Sequence, residues 1–167
     1  MPLILNRRML LASSGALLAT HSVGWAESHS AHTVEMLNKH PEDRTKSMVF
    51  FPRILSVMPG DVVTFKGVDR GHNSASLKGM VPEGGEDWKG RINQDIDVTF
   101  TQPGFYGYQC TPHASMGMVG LIVVEGEGKL ENLDDARSVR QRGRAKSAWE
   151  EIWAEAEAAG MLEATTA

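Results

Sequence analysis

Alternating apolar and polar side chains dominate the middle of the chain. Residues 32–37 and 96–100 alternate like strands that bury one face, and residues 48–51 form a short apolar run. Groups of proline, glycine, asparagine and aspartate separate these segments at close spacing. The pattern predicts strands at residues 32–37, 48–51, 53–57, 62–66, 96–100, 105–110 and 118–124.

Three connections between the predicted strands have a recognisable composition. Residues 38–43 are polar and contain Pro41, which predicts a loop. Met58-Pro59-Gly60-Asp61 puts proline and glycine at the central positions of a type II turn, which predicts a hairpin or a sharp corner. Residues 67–91 are rich in glycine and polar side chains and are predicted to be mostly loop, with Trp88 against the core.

Beyond residue 126 the pattern changes to the spacing of helices. Asn132 is predicted to cap a helix that runs to residue 140, and Ser147-Ala148-Trp149-Glu150 matches a capping box at the start of a second helix. Gly160 is placed to end this second helix. Its apolar stripe, which is predicted to cover one face of the strands, consists of Trp149, Ile152, Trp153 and Ala156.

Seven or eight short strands followed by two helices predict a mainly β fold. The expected architecture is a Greek-key β-sandwich of antiparallel strands with two C-terminal α-helices packed on it. We predict three segments: an export signal at 1–26, the sandwich at 27–126 and a helical extension at 127–167.

The first 26 residues have the pattern of an export signal. Arg7 and Arg8 precede the apolar run 9–19, and Gly24-Trp25-Ala26 offers small residues at the two positions that a signal peptidase inspects. The apolar run is too short and too interrupted for a membrane helix. The arginine pair partly matches a twin-arginine signal, and Sec export is the alternative. Both routes predict an exported protein with no membrane anchor once the signal is removed.

Cleavage after Ala26 would create a second candidate metal site. Glu27-Ser28-His29 would then begin the chain, and an amine, two amides and the third-position imidazole can bind copper(II) in a square plane. A polar tail without a ligand is the favoured alternative.

Composition narrows the choice of function. With 167 residues, 41% of them apolar and 23% charged, the chain suits one globular domain. Its net charge of −4 becomes −6 when Arg7 and Arg8 leave with the signal, which makes nucleic acid an unsuitable partner. A basic run would suit an acidic partner, but a solvated helix surface is the favoured interpretation. The run consists of Arg137, Arg140, Arg142, Arg144 and Lys146.

The most informative segment is Cys110-Thr111-Pro112-His113-Ala114-Ser115-Met116-Gly117-Met118. Cys110 is the only cysteine, so an exported chain cannot use it for an internal disulfide. An imidazole and two thioethers follow it on the same predicted loop. Thiolate, imidazole and thioether are the soft ligands that select copper over calcium or magnesium. The loop therefore predicts a copper site.

One more imidazole completes a blue-copper centre, and His72, in a loop between two strands, is the candidate. In this hypothesis Cys110 supplies a thiolate, and His72 and His113 supply nitrogen ligands. Met118 supplies a weak axial sulfur, with Met116 as the alternative. Two imidazoles, a thiolate and a distant thioether suit both oxidation states of copper, which predicts an electron carrier.

Each candidate ligand also has an ordinary explanation, and other functions fit part of the pattern. Buried cysteines are usually small core residues, and methionines usually fill gaps. A copper carrier or chaperone without a redox role is the main alternative, although such sites use paired cysteines or open methionine clusters. An enzyme with Cys110 as nucleophile and His113 as base is disfavoured, because Pro112 separates the two on a tight loop and no oxyanion-hole motif is present.

Residues 68–73, 80–84 and 110–120 together resemble the pseudoazurins, a family of cupredoxins, and the similarity runs from about residue 33 through the two C-terminal helices. The resemblance implies a monomeric type 1 copper protein of the bacterial periplasm, with one copper per chain. It also implies transfer of single electrons to a respiratory or denitrification enzyme such as nitrite reductase. The family's longer ligand loop favours Met118 over Met116 as the axial ligand.

The same resemblance implies roles for residues around the ligands. Asn73 matches a residue that braces the site by hydrogen bonds near the cysteine sulfur. Met48, Pro112 and Met116 match apolar positions around the exposed histidine edge, where electrons enter and leave. The loop at 40–46 is longer and more charged than is usual in the family. A lysine collar that docks acidic partners is implied at Lys39, Lys46, Lys66, Lys78 and Lys89.

Overall fold

The computed structural model describes residues 29–165, so the predicted export signal at 1–26 lies outside the described residues. Within residues 29–165 the chain forms eight strands, two α-helices and a short 3₁₀-helix (Ala114–Met116). The strands are β1 (Ala31–Lys39), β2 (Ser47–Phe51), β3 (Ile54–Val57), β4 (Val62–Lys66), β5 (Ala75–Ser76), β6 (Ile96–Thr99), β7 (Gly104–Gln109) and β8 (Val119–Val124), and the helices are α1 (Leu133–Ser138) and α2 (Arg144–Ala158). The strands form two sheets, in the orders β2-β1-β4-β6 and β3-β8-β7-β5. The predicted β-sandwich with two C-terminal helices is confirmed.

The expectation that all strands pair antiparallel is wrong for two pairs. β1 pairs parallel with β4, and β3 pairs parallel with β8. The chain changes sheet between β3 and β4, so that β4 returns beside β1 in the same direction. Alternation along a strand shows which face is buried, but it carries no information about the direction of the neighbouring strand.

The predicted turn at residues 58–61 is a corner between the two sheets, not a hairpin. Gly60 has a φ of 93°, as the third position of a type II turn requires. The imidazole of the exposed His29 lies where a β-carbon on Gly60 would stand, but this side chain is free to move, so the positive φ is what favours glycine.

The buried carboxylate of Asp61 joins this corner to the start of β1. It accepts hydrogen bonds from the backbone N–H groups of Ser30 (2.6 Å) and Met58 (2.9 Å) and from Nε2 of His32 (3.1 Å). Burial raises the pKa of this carboxyl, but the three hydrogen bonds outweigh burial and leave the pKa below its ordinary value of 3.8.

Replacing Asp61 with asparagine is expected to lower the free energy of unfolding by about 2 kcal/mol at neutral pH, because charge-assisted hydrogen bonds are lost. Since the native pKa is depressed, the stability that the carboxylate provides is present above pH 3.8 and is lost as the pH falls through the native pKa. Denaturant unfolding between about pH 7 and about pH 3 should therefore show a steeper loss for the wild type than for Asp61→Asn. The control at neutral pH is Asp97→Asn, which removes an exposed hydrogen bond from the Thr64 hydroxyl and should lower the free energy of unfolding by only about 1 kcal/mol or less. If the free energy of unfolding of Asp61→Asn fell with pH as steeply as that of the wild type, the role assigned to Asp61 would be contradicted.

Two apolar clusters bury both faces of the β3-β8-β7-β5 sheet. The cluster between the sheets contains Tyr108, Cys110 and Met118. The cluster on the outer face contains Phe105 and Leu121 and is completed by the helices. β8 is therefore buried along its whole length, which explains why its sequence is a continuous apolar run.

Helix α2 covers the outer face of this sheet with the predicted stripe, which consists of Trp149, Ile152, Trp153 and Ala156. The predicted start at the capping box is wrong. The helix begins at Arg144, after Gly143, and Ser147 lies exposed inside it. The reason is that the buried stripe starts one turn earlier, at Ala145. Neither helix in the described part of the chain combines the length and the hydropathy needed to cross a membrane.

Asn132 occupies the N-cap position of α1, but its side chain does not cap the helix as predicted. Its amide donates to the backbone oxygen of Phe105 (2.8 Å) and accepts from the backbone N–H of Phe105 (3.0 Å). β5 pairs only with Tyr108 and Gln109 of β7, so it does not reach Phe105. The Asn132 side chain therefore supplies the hydrogen-bond partners that the backbone of Phe105 would otherwise lack. Trp88, in the predicted loop region, is buried as expected.

Candidate metal centre

The loop between β7 and β8 is closed by its own backbone. Cys110 directly follows β7, and its N–H donates to the carbonyl oxygen of Met118 (3.0 Å). The carbonyl oxygen of His113 accepts from the N–H of Met118 (3.2 Å). The ladder between β7 and β8 thus continues past the ends of both strands, and it fixes the loop that carries His113.

His72 reaches the same end of the sandwich from the loop between β4 and β5. Gly71 has a φ of 96°, and its N–H donates to Oδ1 of Asn93 (2.6 Å). The N–H of Asn93 in turn donates to the carbonyl oxygen of His72 (2.9 Å). These bonds fix the backbone of His72 beside the ligand loop.

The side chains of His72, Cys110 and His113 converge. Sγ of Cys110 lies 3.6 Å from Nδ1 of His72 and 3.5 Å from Nδ1 of His113, and the two nitrogens are 3.1 Å apart. The centre of a triangle with these sides is about 2 Å from each corner, which is a metal–nitrogen bond length in proteins. A thiol and two imidazoles in this arrangement fit a copper ion.

The cluster is closed to solvent except at one side. His72 and Cys110 are fully buried, whereas His113 is partly exposed. Burial, with the neighbouring His113, lowers the pKa of His72 and favours its neutral, ligating form. Burial also raises the pKa of the Cys110 thiol, although the backbone N–H groups of Asn73 and His113 act in the opposite direction. A bound metal cation would oppose this effect of burial and favour the thiolate.

Asn38, which the sequence pattern assigned to a loop, lies in β1 and contacts His72. Nε2 of His72 donates to Oδ1 of Asn38 (3.0 Å), because an amide oxygen can only accept. This bond fixes the proton on Nε2 and leaves Nδ1 free to bind a metal. The two residues are 34 positions apart, and no local motif marks Asn38 as part of the site.

The structure places Asn73 between the His72 loop and the ligand loop. Its Oδ1 accepts from the N–H of Thr111 (2.8 Å), and its Nδ2 donates to Oγ1 of Thr111 (3.1 Å) and to the carbonyl oxygen of Gly90 (3.0 Å). The side chain therefore connects the residue after His72 with the residue after Cys110.

The methionines of the predicted site differ in burial. Met118 is fully buried in the same apolar cluster as Cys110, whereas Met116 is 41% exposed. Met48 is half-buried and has a φ of 54°, a value that residues other than glycine seldom adopt. Pro112 is exposed.

All five lysines of the predicted collar are exposed. Lys39 follows Asn38, and Lys89 precedes Gly90, which is hydrogen-bonded to Asn73. Lys46 lines a cavity of about 280 Å³ that also touches Gly117 of the ligand loop. Lys66 ends β4, and Lys78 follows β5 by two residues.

Two imidazoles and a thiol that converge at one end of a β-sandwich define a type 1, or blue, copper protein. Known proteins of similar sequence belong to this class. Residues 34–125 match the family of copper binding proteins described as plastocyanin/azurin. The pseudoazurin of Paracoccus pantotrophus is 42% identical over 137 residues, which cover 82% of this chain and 89% of that protein. The pseudoazurin of Methylorubrum extorquens is 37% identical over 138 residues, which cover 83% of this chain and 88% of that protein.

A solved structure agrees with these sequence matches. The pseudoazurin from Sinorhizobium meliloti has a TM-score of 0.71 and 48% sequence identity, and the match covers 77% of this chain and 97% of that chain. The chain therefore belongs to the plastocyanin/azurin family of copper-binding proteins, and within it to the pseudoazurins. It is a copper electron-transfer protein and not an enzyme, and copper is its cofactor, as the sequence predicted.

Proposed function

We propose that this chain is a monomeric electron carrier of the bacterial periplasm that passes single electrons to an oxidoreductase such as nitrite reductase. The observation that best supports this role is a buried ligand cluster with one histidine at the surface. A closed cluster retains its metal, whereas a copper-delivery protein needs an open site. The exposed side of His113 gives a partner an approach to the centre.

The residues around the cluster hold it in one geometry. Copper, when bound, supplies a one-electron redox couple. Asn38 orients the His72 ring, and Asn73 joins the two loops that carry the ligands. The apolar cluster around Cys110 excludes water. A rigid and dry site suits electron transfer, because little has to move when the charge changes.

Met118 is the proposed axial ligand, because it is buried beside Cys110 while Met116 is exposed. Replacing Met118 with leucine is expected to raise the reduction potential by about 60 mV or more, which is at least a tenfold shift of a one-electron equilibrium. The physical reason is that a thioether donates electron density to the metal and an alkyl group does not. Voltammetry of Met118→Leu and of the matched control Met116→Leu checks this. A shift in the Met116 variant alone would reassign the axial ligand.

Partner docking is proposed to use the surface around His113. Met48, Pro112 and Met116 would supply its apolar part, and Met116 is the most exposed of the named methionines of the site. Gly71 has no side chain to cover Cε1 of His113, where an added β-carbon would stand 3.8 Å away. The proposed lysine collar around this surface consists of Lys39, Lys46, Lys66, Lys78 and Lys89.

Reversing the charge of Lys39 or Lys89 is expected to slow reduction of a copper nitrite reductase about three- to tenfold at low salt, because attraction between the partners is lost. The difference should shrink as ionic strength rises. Stopped-flow measurement of the second-order rate constant for Lys39→Glu and Lys89→Glu tests this. Arg137→Glu, in α1, carries the same change of charge and serves as the control. An equal effect of Arg137→Glu would refute docking at the collar.

The export signal at 1–26 and the segment boundaries at 26 and 126 are part of the proposal. Cell fractionation and the intact mass of the mature protein test export and the cleavage site. A mature chain that starts at Glu27 would also allow the second copper site at Glu27-Ser28-His29. A mature chain that begins elsewhere would remove that site and leave the type 1 centre unaffected.

A further inference from the structure

Helices α1 and α2, the segment between them and Met80 line an open cavity of about 620 Å³. None of the copper-site residues named above lines it. Its walls combine cationic and aromatic side chains, chiefly Arg137, Arg140, Arg142, Lys146, Trp149 and Trp153. The electron-transfer role uses none of these groups.

The positive charge of this cavity is concentrated and largely unpaired. Four of the five cations in the basic run at 137–146 line it, and Arg144 is the exception. Among residues 29–165, no carboxylate forms an ion pair with the arginines of the cavity. Lys146 and Glu150 are 3.9 Å apart, which is long for a charge-assisted hydrogen bond. All four cations are exposed and Glu150 also lines the cavity, so positive charge outnumbers negative charge here in a protein whose net charge is −4.

The aromatic part of the cavity is formed by Trp149 and Trp153. Within the described part of the chain, the indole N–H of Trp149 is the one buried side-chain nitrogen or oxygen without a hydrogen-bond partner. This nitrogen is almost inaccessible to solvent, so a ligand in the cavity would contact the edge of the ring and not the N–H. The ring of Trp153 is 5.6 Å from that of Trp149, and Cζ of Arg137 lies 5.9 Å from the centre of the Trp153 ring. Arginine and aromatic surface are thus side by side.

We propose that this cavity binds a small amphipathic anion, that is, a carboxylate or phosphate group attached to an apolar body. Arg140, Arg142 and Arg137 would bind the anionic oxygens, since a guanidinium matches carboxylate and phosphate geometry. The apolar body lies against the rings of Trp149 and Trp153, which line the cavity. This binding site goes beyond the electron-transfer role and does not depend on it.

Phenyl phosphate is the probe that tests the proposal, with the reduced, copper-loaded protein labelled with ¹⁵N. Its addition is expected to shift the indole N–H resonance of Trp149 in a saturable way. The resonance of Trp88 is the internal reference and should stay unchanged, because its indole N–H already donates to Oγ of Ser74 (2.9 Å). Trp149→Phe identifies the signal. A Trp149 resonance that does not move at millimolar phenyl phosphate would refute the site.

Variants and related compounds test each part of the proposal. Arg140→Gln and Arg142→Gln are each expected to weaken binding of phenyl phosphate about tenfold, because a charge-assisted contact is lost. Arg144→Gln, in the same basic run but outside the cavity, should change it less than about twofold. Equal effects at positions 140 and 144 would show non-specific attraction and overturn the assignment. Equal binding of neutral benzyl alcohol, or of inorganic phosphate without a ring, would overturn the class of ligand.

Discussion

Replacing Cys110 with serine is expected to abolish the intense visible absorption of the copper(II)-loaded protein and the narrow copper hyperfine structure in its electron spin resonance spectrum. Both signals depend on a copper–thiolate bond, and a serine hydroxyl cannot provide it. The side chain is fully buried between two imidazoles, so the exchange of oxygen for sulfur changes the ligand and little else. Spectra of the wild type and Cys110→Ser, recorded at equal copper content, measure the effect.

The control for this experiment is Ser115→Ala, a change at an exposed position of the same loop. It should leave both signals intact. Circular dichroism should show that Cys110→Ser keeps the β-sandwich. A pale, ordinary tetragonal copper signal in the wild type itself would mean that Cys110 is not a ligand, and it would favour the copper-delivery alternative over the electron-transfer role.

The ligand cluster was predictable because most of its information is local in sequence. Cys110 and His113 lie three positions apart on one loop, and the strands on both sides of the loop have clear apolar patterns. His72 needed a further step, since it is brought to the cluster only by the fold. The positions of the strands were predictable for the same reason, because burial of one face leaves a period of two in the sequence.

Features that depend on the relation between distant segments were not predictable. The parallel pairing of β1 with β4 leaves no trace in the alternation of either strand. Asn132 carries the sequence signal of a helix cap, yet its side chain bonds the backbone of Phe105 in β7. A competing tertiary partner decided its role, which local propensity cannot show.

Asn38 is the clearest case of a site residue without a sequence signal. It precedes a polar segment and was assigned to a loop, but β1 continues through it to Lys39. Its side chain then reaches His72, while its backbone N–H donates to Oδ2 of Asp69 (2.6 Å). The backbone bond holds Asn38 in place whatever its side chain is. The contribution of the side chain to the metal site can therefore be tested separately from the fold.

Replacing Asn38 with leucine is expected to weaken copper binding about 10- to 100-fold, which is typical when the hydrogen-bond partner of a ligating histidine is removed. Without an acceptor at Nε2, the His72 ring loses both its fixed orientation and its preference for the tautomer that ligates through Nδ1. Competition with a copper(I) chelator measures the affinity. Loss of the protected His72 Nε2–H resonance in the reduced protein would report the tautomer directly.

Two variants distinguish this orienting role from a general disturbance of β1. Asn38→Asp keeps an oxygen acceptor and is expected to retain most of the copper affinity, whereas Lys39→Leu changes the neighbouring exposed position and should leave the affinity unchanged. If Lys39→Leu weakened copper binding as much as Asn38→Leu, the effect would come from the strand and not from His72. If Asn38→Asp failed to restore binding while Lys39→Leu had no effect, the amide group itself, beyond its acceptor oxygen, would be required. We expect neither of these two results. The hydrogen bond from Nε2 of His72 requires only an acceptor oxygen at position 38, and Asn38→Asp keeps one.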